Sequence, residues 1–379
     1  MALNTVSSDR LSTNVKTSNL GTELKGKIGQ NKNLIVNGAM QVAQRGTSAS
    51  GTGYKTVDRF TSQGNGGQAV TQSQDTDVPA GQGFSKSLKF DCTTANASPS
   101  AGNYLAITYR IEAQDLQNIA NGTSNAKKLT LSFWVKSPKT GNHAVGLYKA
   151  DSTVRQNTKT YSVSSANTWE KKTITFDGDT SGGGISNDNG LGIQIDWHLM
   201  AGTDFTSVDS TSWVNYSDSA WAYGHAVNVV DNTANNFYLT GVQLEVGSVA
   251  TDFEHRSYGQ ELALCQRYFY MHVAGTNVNG NDEDKAICTA VRWDNSNFYG
   301  TIFFPVYMRA KPTISSSLGT DRMLFYKVGS TDGVDSIGIQ EMGYANGVFS
   351  FSGGLTSSAP NGWMVLNNND AYIGFTAEL

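Results

Sequence analysis

Aromatic rings and hydrogen-bonding side chains are concentrated in one stretch of the chain, "SWVNYSDSAWAYGH" at residues 212–225. The stretch contains Trp213, Asn215, Tyr216, Asp218, Trp221 and Tyr223. Exposed aromatic rings can stack on the faces of pyranose sugars, while amide and carboxylate groups beside them bond the sugar hydroxyls. The same rings could instead cap a hydrophobic core, because Trp and Tyr are common in cores and interfaces alike. The residue types alone leave both interpretations open.

Two stretches nearer the C-terminus contain the same mixture of side chains. "RWDNSNFYG" and "APNGWMVLNNND" combine tryptophan or tyrosine with several asparagines. Since recognition usually concentrates in the tip loops of a terminal domain, we expect these stretches to face a ligand. The candidate ligand-binding residues are Trp293, Asn295, Asn297, Tyr299, Trp363, Trp213, Tyr216 and Trp221.

Residues suited to catalysis do not occur in recognisable patterns. The five histidines are isolated, without an H-x-x-x-H or H-E-x-x-H spacing, and no G-x-S-x-G elbow is present. Carboxylate pairs such as Asp177 and Asp179 exist. A glycosidase, however, needs two carboxyl groups about 5–10 Å apart across a cleft, and a sequence does not reveal that distance. We therefore expect no enzymatic activity and no cofactor.

The charge balance argues against one class of partner. The 379 residues carry a net charge of −4, and only 16% of them are charged. Nucleic-acid binding needs a basic surface that displaces counterions, so we expect no nucleic-acid partner. The remaining polarity comes from Ser, Thr, Asn and Gln, which is typical of extracellular and virion proteins and of proteins that meet sugars.

Cysteine usage and the N-terminal residues bear on where the protein is made. Cys92, Cys265 and Cys288 form no C-x-x-C motif and cannot all pair within one chain, so we expect free, mostly buried thiols. "MALNTVSSDR" lacks the basic and apolar regions of a secretory signal. No apolar run approaches the roughly 20 residues that cross a bilayer. We expect a soluble protein that is made in a cytosol, without membrane insertion. If it works outside a cell, a route other than the secretory signal must take it there, and assembly into a virus particle released by lysis would do so.

The elements that would position the candidate residues are mostly strands. From residue 33 to about residue 250, stretches such as "SKSLKF", "NYLAITYRIEA" and "KLTLSFWVKSP" alternate apolar and polar residues between loops rich in Gly, Ser, Asn and Thr. Strands at this spacing without helical periods predict an antiparallel sandwich or jelly roll. We expect "NLIVNGAMQV" to be its first strand and to pair with the late strand "FYLTGVQLEVG".

A helix and a second group of strands follow. "SYGQELALCQRYFYM" at residues 257–271 has Leu262, Cys265 and Phe269 on one helical face, with Ser257 as a cap. Residues 272–379 again show the pattern of strands, and this segment is long enough to form a second, smaller sandwich.

Residues 1–32 differ from the rest of the chain. They are polar, and their apolar residues recur at spacings of four and five that are too irregular for a stable isolated helix. Such an arm would become ordered only against another copy or a larger assembly. A disordered leader is the alternative, and both interpretations remain open.

Several of these stretches occur in an order that resembles a recurrent module of bacteriophage tail-fibre and related virion proteins, similar to carbohydrate-binding-module jelly rolls. They are "NLIVNGAMQVAQRG", "YKTVDRF", "LTLSFWVKSP", "TITFDGDTSGG" and "NNFYLTGVQLEVGSVATDFEHRSYGQELALCQRYF". "FFPVYMRAKPTIS" and "AYIGFTAEL" resemble the small sandwich that often ends such proteins. The resemblance covers residues 33–379 and implies an all-β fold. Its parts are an N-terminal virion-docking arm (1–32), a carbohydrate-module-like antiparallel jelly roll (33–256), a short linker helix (257–271) and a smaller C-terminal β-sandwich (272–379).

The resemblance also implies a role on a virus particle. It suggests a tail fibre that attaches to the host surface by non-covalent binding of a glycan or a protein, with residues 1–32 docked to tail or capsid proteins. A capsid decoration or head-fibre protein is the first alternative. A polysaccharide depolymerase is the second, although no fixed-period repeat of a parallel β-helix is visible.

Two further expectations follow from the same resemblance. Fibre proteins are typically homotrimers, so the helix at 257–271 could pack about a threefold axis, or it could instead plug the space between two domains of one chain. Jelly rolls of this kind often hold calcium between the first and last strands. At the corresponding positions Asn37, Gly38, Thr240 and Gln243 offer no carboxylate for a hard cation, so we expect no bound metal.

Overall fold

The computed structural model describes residues 32–279, 285–327, 330–354 and 360–379. The predicted docking arm lies outside the described residues, apart from Lys32. Among the helices within these ranges, none has the length and apolar character needed to span a bilayer.

Residues 32–256 form a sandwich of two antiparallel sheets. Its strands are β1 (Ser48–Ser50), β2 (Phe60–Asn65), β3 (Ala69–Asp75), β4 (Ser87–Thr94), β5 (Tyr104–Glu112), β6 (Leu129–Lys136), β7 (Gly141–Lys149), β8 (Arg155–Val163), β9 (Glu170–Phe176), β10 (Leu191–Ala201), β11 (Val214–Asn215) and β12 (Asn236–Val246). Short 3-10 helices lie at Ala113–Ile119, Thr203–Phe205 and Asp218–Ala220. The first sheet has the order β1-β3-β4-β12-β6-β9, and the second has the order β11-β8-β7-β10-β5-β2.

The core of this sandwich lies between the two sheets. On β6 the alternating residues Leu131, Phe133 and Val135 point inward and are fully buried, as their spacing predicts. Trp197 of β10 meets Phe133 from the opposite sheet, with ring centroids 6.0 Å apart. Because successive side chains on a strand alternate between faces, the outer face of the second sheet is left free to carry polar residues.

The stretch "NLIVNGAMQV" lies beside β12, as predicted, but it does not form a strand. Its Leu34 N–H donates to Leu244 O at 3.0 Å, and Val242 N–H donates to Gly38 O at 2.9 Å. Between these two bonds the chain turns, because Asn37 adopts a left-handed conformation with φ 62°. The Asn37 side chain stabilises the turn by donating to Val42 O and Asp58 O at 2.8 and 2.9 Å.

The predicted helix is present but shorter than expected. Helix α1 (Tyr258–Gln266) begins after Ser257, whose side chain accepts a hydrogen bond from Gln260 N–H in a capping box. It ends before Phe269, which starts strand β13 (Phe269–Ala274) because its backbone pairs with Thr376. The aromatic residues after the helix are buried within the single chain: Tyr268 is 4% exposed and Phe269 is 1% exposed. They therefore fill the space between the two sandwiches of this chain.

The described residues after 268 form the second, smaller sandwich. Its strands are β13 (Phe269–Ala274), β14 (Ala286–Arg292), β15 (Asn297–Phe303), β16 (Thr313–Ser317), β17 (Met323–Lys327), β18 (Ser330–Val334), β19 (Ser336–Met342), β20 (Asn346–Ser352), β21 (Asn361–Leu366) and β22 (Tyr372–Thr376), with a short helix α2 (Thr276–Asn279). One sheet has the order β13-β22-β16, and the other has the order β18-β17-β21-β14-β15-β20-β19. The predicted all-β fold class, with an antiparallel jelly roll, a short helix and a smaller C-terminal sandwich, is thereby confirmed.

Polar contacts join the two sandwiches. Arg267 donates from Nε and Nη2 to the two carboxylate oxygens of Glu112 at 2.8 and 2.9 Å. Arg309 donates to Asn189 O on the first sandwich and, at 2.6 Å, to Ala377 O near the end of the chain. These contacts bring the C-terminal residues of the second sandwich onto the outer face of β5 and β10.

Candidate functional site

The outer face of the second sheet forms the floor of a cleft of about 620 Å³. Arg110 on β5 pairs with Gln194 on β10, and both line the cleft. On the same face Thr108 pairs with Asp196, and both are buried beneath the cleft. These residues alternate with inward-facing core residues, so the rigid ladder of the sheet sets their spacing.

Asp196 is the centre of a hydrogen-bond network in this floor. Its carboxylate is 1% exposed and accepts from Thr108 Oγ1 at 2.7 Å and from Gln194 Nε2 at 2.9 Å. Trp221 Nε1 donates to the same carboxylate at 3.0 Å, and Gln63 Nε2 on β2 donates at 3.3 Å. Burial raises the pKa of Asp196, and the donors from Gln194, Thr108 and Trp221 oppose that rise. The network orients the indole of Trp221 from below.

Aromatic rings form one wall of the cleft. Trp221 follows the short 3-10 helix Asp218–Ala220 and meets Tyr104 edge to face, with centroids 5.1 Å apart and ring planes at 90°. Phe205 packs against Trp221 at 5.6 Å. Beneath the indole, His198 of β10 lies 4.5 Å away, also edge to face. Since Trp221 is 8% exposed and contacted from several sides, this wall is preformed.

Two tyrosines stand at the mouth of the cleft. Tyr148 of β7 and Tyr216 after β11 meet edge to face, with centroids 5.3 Å apart and planes at 88°. Tyr216 is 41% exposed, and its hydroxyl donates to Asp218 Oδ1 at 2.6 Å. Burial raises the pKa of Tyr216, and its hydrogen bond to the Asp218 carboxylate raises it further. Burial also raises the pKa of Tyr148, so both phenols stay protonated at neutral pH, and the hydroxyl proton of Tyr216 is donated to Asp218.

The opposite wall includes a residue of the second sandwich. Arg110 donates from Nε to Gln194 Oε1 at 2.9 Å and from Nη1 to the backbone oxygen of Leu379 at 2.6 Å. Leu379 and Leu191 line the cleft beside this guanidinium. The cleft is thus completed only when the two sandwiches are packed together.

This arrangement suits a ligand that has both flat apolar faces and hydroxyl groups. Concave sites with aromatic walls and a few fixed polar groups are the usual form of small-ligand sites. The rings of Tyr148 and Tyr216 offer stacking surfaces, and Gln63, Gln194 and Arg110 offer donors and acceptors around the floor. Within the described part of the chain, no group of three His, Cys, Asp or Glu residues could hold a metal ion.

The structure separates the residues predicted at 212–225. Tyr216 and Trp221 line the cleft. Trp213 does not: its ring packs against the hydrophobic core, and its Nε1 donates to Asp177 O at 2.6 Å. The core-packing interpretation therefore applies to Trp213, and ligand binding by Tyr216 and Trp221 stays a prediction.

The residues predicted nearer the C-terminus lie on the second sandwich, away from the cleft. Trp293 is 71% exposed and stacks parallel to Tyr299 at 5.3 Å between centroids. The side chain of Asn297 is engaged with the Asp294 carboxylate, and the backbone oxygen of Asn295 accepts from Arg292. Trp363 is 67% exposed and belongs to β21, so it lies within a sheet rather than in a tip loop.

Several residues of the cleft and of the hydrogen-bond network beneath it were missed by sequence reasoning. Tyr104, Thr108 and Arg110 lie in "NYLAITYRIEA", and Gln194 and Asp196 lie in "LGIQIDWHLM". In both strands a polar residue recurs at every second position within an otherwise apolar run. That alternation indicates one outward polar face on each strand, but it does not reveal that the two strands are neighbours.

Comparisons with known proteins add the following. No family model matches the chain, and no curated protein sequence matches it. The chain is similar to the enzymatically active domain of tailspike protein 4 of bacteriophage CBA120, with 15% identity and a TM-score of 0.32. That match covers 57% of this chain and 21% of the tailspike chain, so this chain spans about a fifth of that protein's length.

Two carbohydrate-binding modules are also similar. One is a family 11 module from Clostridium thermocellum in complex with a β-1,3-1,4-mixed-linked tetrasaccharide, with 13% identity, a TM-score of 0.27, and coverage of 54% of this chain and 97% of the module. The other is the CBM22-1 xylan-binding domain from Paenibacillus barcinonensis, with 10% identity, a TM-score of 0.24, and coverage of 55% and 100%. At these identities and TM-scores, the functions of those proteins do not transfer to this chain.

Proposed function

We propose that this protein binds a glycan non-covalently in the cleft on the outer face of β5 and β10. The observation that carries the proposal is the cleft itself, where the rings of Tyr148, Tyr216 and Trp221 surround a floor of fixed polar groups. A pyranose ring could lie against the exposed tyrosines while its hydroxyls meet Gln63, Gln194 or Arg110. No covalent step is part of the proposal, and neither is an enzymatic activity.

We further propose that the protein serves as a virion structural protein, most simply a tail fibre that attaches a phage to its host. The motifs of residues 33–270 support this proposal, because their sequences and their order along the chain resemble phage virion modules. Residues 1–32 would dock the protein to tail or capsid proteins, and assembly as a homotrimer would present several clefts at once. Weak binding at each cleft would then be strengthened by effective concentration.

Glycan binding is tested with the full chain and point variants. A glycan array of bacterial surface polysaccharides and neutral oligosaccharides would identify a ligand, and titration calorimetry would measure its dissociation constant. Tyr216→Ala and Tyr148→Ala should each weaken binding about tenfold, since a lost stacking contact of about 1.4 kcal/mol corresponds to that factor. Trp293→Ala and Trp363→Ala remove rings outside the cleft that are even more exposed than that of Tyr216, and they should leave the affinity unchanged. If only those two variants lose binding, the glycan site lies on the second sandwich.

The virion role has a separate test. Gold-labelled antibody against residues 272–379 should mark the tail of intact particles in electron micrographs. Label spread over the head would indicate a decoration or head-fibre protein instead. Absence of label from every particle would remove the virion proposal while leaving the cleft proposal to its own test.

A further inference from the structure

The outer face of the seven-stranded sheet in the second sandwich is exposed and apolar. Phe303 of β15 is 69% exposed, Trp363 of β21 is 67% exposed, Val291 of β14 is 58% exposed and Tyr326 of β17 is 44% exposed. These side chains share one face, because Tyr326 pairs with Trp363 across neighbouring strands. We call this surface the outer face of the second sandwich.

The central strands place their outward side chains side by side. Trp363 lies opposite Thr289 of β14, and Val291 lies opposite Tyr299 of β15. The inward positions of the same strands, such as Phe298 and Met364, are fully buried in the core. The outer face is therefore the second surface of a well-packed sheet and has a rigid shape.

The outward positions of the central strands of the outer face carry no charge, whereas Glu341 of β19 is exposed at one edge of the face, opposite Val348. The outward positions of β14, β15, β17 and β21 are occupied by aromatic, aliphatic, Thr or Asn residues within the described part of the chain. Two identical surfaces meet without repulsion only when like charges do not face each other. The uncharged centre of the face satisfies that condition, provided that the arrangement about the symmetry axis keeps the Glu341 side chains of different copies apart.

The exposed area is close to what one partner of a stable interface contributes. An aromatic side chain has roughly 150–250 Å² of surface. The exposed parts of Phe303, Trp363, Tyr326 and Val291 therefore add up to about 400–500 Å² of apolar area. A standard interface buries about 800 Å² per partner, of which a little over half is apolar. The outer face can supply that apolar part from a few residues.

The face also combines a projection with a recess. The Trp363 ring stands out from β21, whereas a hollow of about 520 Å³ lies between Val291, Phe303 and Val348 on the neighbouring strands. A surface that carries both shapes can associate with copies of itself, since each projection can enter the hollow of the next copy around a closed threefold ring. Aliphatic side chains such as Val291 and Val348 offer nothing to a sugar hydroxyl, so a protein surface suits this face better than a glycan.

We propose that the outer face of the second sandwich is the surface through which copies of this chain associate. The inference rests on the proposed assembly of the protein and names the interface. It replaces the helix at 257–271 as the expected contact, because Tyr268 and Phe269 after α1 are buried within one chain. Association through the second sandwich leaves the cleft of every copy open.

The test measures the mass of the full chain in solution by sedimentation velocity over a range of concentrations. The wild-type protein should form an assembly larger than a monomer. Val291→Glu and Trp363→Glu place a charge at the contact and should each weaken association at least tenfold. The matched control is Val249→Glu, because Val249 is 72% exposed on the first sandwich, far from this face in sequence. It should leave the assembly intact.

Each result decides the proposal. A wild-type protein that stays monomeric at every concentration overturns it, and so does an assembly that neither variant weakens. Dissociation by Val249→Glu as well would show that the assembly uses another surface. Loss of glycan binding in the Trp363 variant without any change of mass would assign the face to a glycan. Titration of the monomeric Val291→Glu protein with the glycan found on the array keeps the two proposals separate. If the interface lies on the outer face, this variant loses association, but each cleft should bind the glycan with the same affinity as in the wild-type protein.

Discussion

The guanidinium carbon of Arg59 lies 3.4 Å from the centroid of the Tyr268 ring. Arg59 belongs to the first sandwich and is 1% exposed, while Tyr268 leads into the second. Arg59 also forms a buried ion pair with Glu378, and its neighbour Arg45 stacks on Phe269 at 3.6 Å. Arg45, Arg59 and Phe269 lie in the stretches that carry the resemblance to phage proteins. Those stretches therefore build the joint between the sandwiches.

Removing one partner of this joint should destabilise the protein strongly. Glu378→Ala leaves the buried guanidinium of Arg59 without its carboxylate, and breaking a buried pair in this way costs about 3–5 kcal/mol. Urea denaturation would measure the loss of unfolding free energy, and a single transition should separate into two if the sandwiches no longer unfold together.

An exposed ion pair provides the control for that variant. Lys128 and Asp177 lie 2.7 Å apart with side chains 54% and 67% exposed. Lys128→Ala should change stability by no more than about 1 kcal/mol, because water screens exposed pairs. Equal losses in Glu378→Ala and Lys128→Ala would contradict the assignment of Arg59 and Glu378 to a buried joint.

Replacement of the floor carboxylate should disturb the cleft. Asp196→Asn exchanges an acceptor for an amide whose nitrogen can only donate, yet Thr108, Gln194 and Trp221 all donate to this position. We expect a stability loss of about 1–3 kcal/mol, a shift in tryptophan fluorescence and weaker glycan binding. Asp218→Asn is the control, since its amide oxygen can still accept from Tyr216; a similar loss there would argue against a central role for Asp196.

The stability of the first sandwich should fall in acid because of three buried histidines. His143, His198 and His225 lie close together. The ring centroid of His225 lies 5.9 Å from that of His143 and 6.1 Å from that of His198. Burial lowers the pKa of each, that of His198 to about 3. The unfolded chain therefore takes up protons first. The free energy of unfolding therefore has its full value above the ordinary histidine pKa of about 6.5. Below that pH it decreases by up to about 1.4 kcal/mol per pH unit for each histidine.

Buried carboxyl groups with a raised pKa act in the opposite direction, and Asp58 is one of them. Burial raises the pKa of Asp58 to about 6, so the folded state takes up this proton before the unfolded state does, and protonation offsets part of the acid loss. Melting temperatures measured between neutral pH and about pH 5 should show a smaller decline for His198→Phe and a steeper decline for Asp58→Asn. A pH profile that neither variant alters would contradict this account.

The close approach of Gly38 to β12 makes a further prediction. A Cβ atom at Gly38 would lie 2.1 Å from Val242 O, which is far inside van der Waals contact. Gly38→Ala should therefore push the turn off the sheet and cost at least about 2 kcal/mol in thermal or urea unfolding. Gly259→Ala in α1 meets nothing within 4 Å and should be neutral or slightly stabilising. The reverse order of effects would show that the turn can shift freely.

Much of the fold could be predicted from local patterns. Alternation in β6 marked its buried face, and the spacing of Leu262 and Cys265 indicated a helix. The predicted C-terminal end of the helix is wrong, because Phe269 fits a helical period and a strand pairing equally well. Only the pairing of its backbone with Thr376 decides between them. The first stretch, residues 33–42, shows a similar difference: its apolar run predicts a strand beside β12, but the left-handed Asn37 turns the backbone away.

The candidate site was predictable only in part. Density of aromatic residues indicated the region of Tyr216 and Trp221 but did not distinguish them from Trp213, whose ring faces the core. Nothing in the order of residues places Leu379 beside Arg110, because those positions are 269 residues apart.

The sequence by itself determined which residues face inward on each strand, since the period of two is a local property of the backbone. It also determined that the chain is rich in strands, with low charge and free thiols. Only the tertiary structure decided which outward faces meet. Asp196 becomes a buried acceptor because β5, β10 and the residues around Trp221 come together, and the cleft gains its second wall because the buried charges of Arg59 and Glu378 hold the sandwiches in one arrangement. Such long-range pairings depend on the shape and burial of the whole molecule, which no local pattern contains.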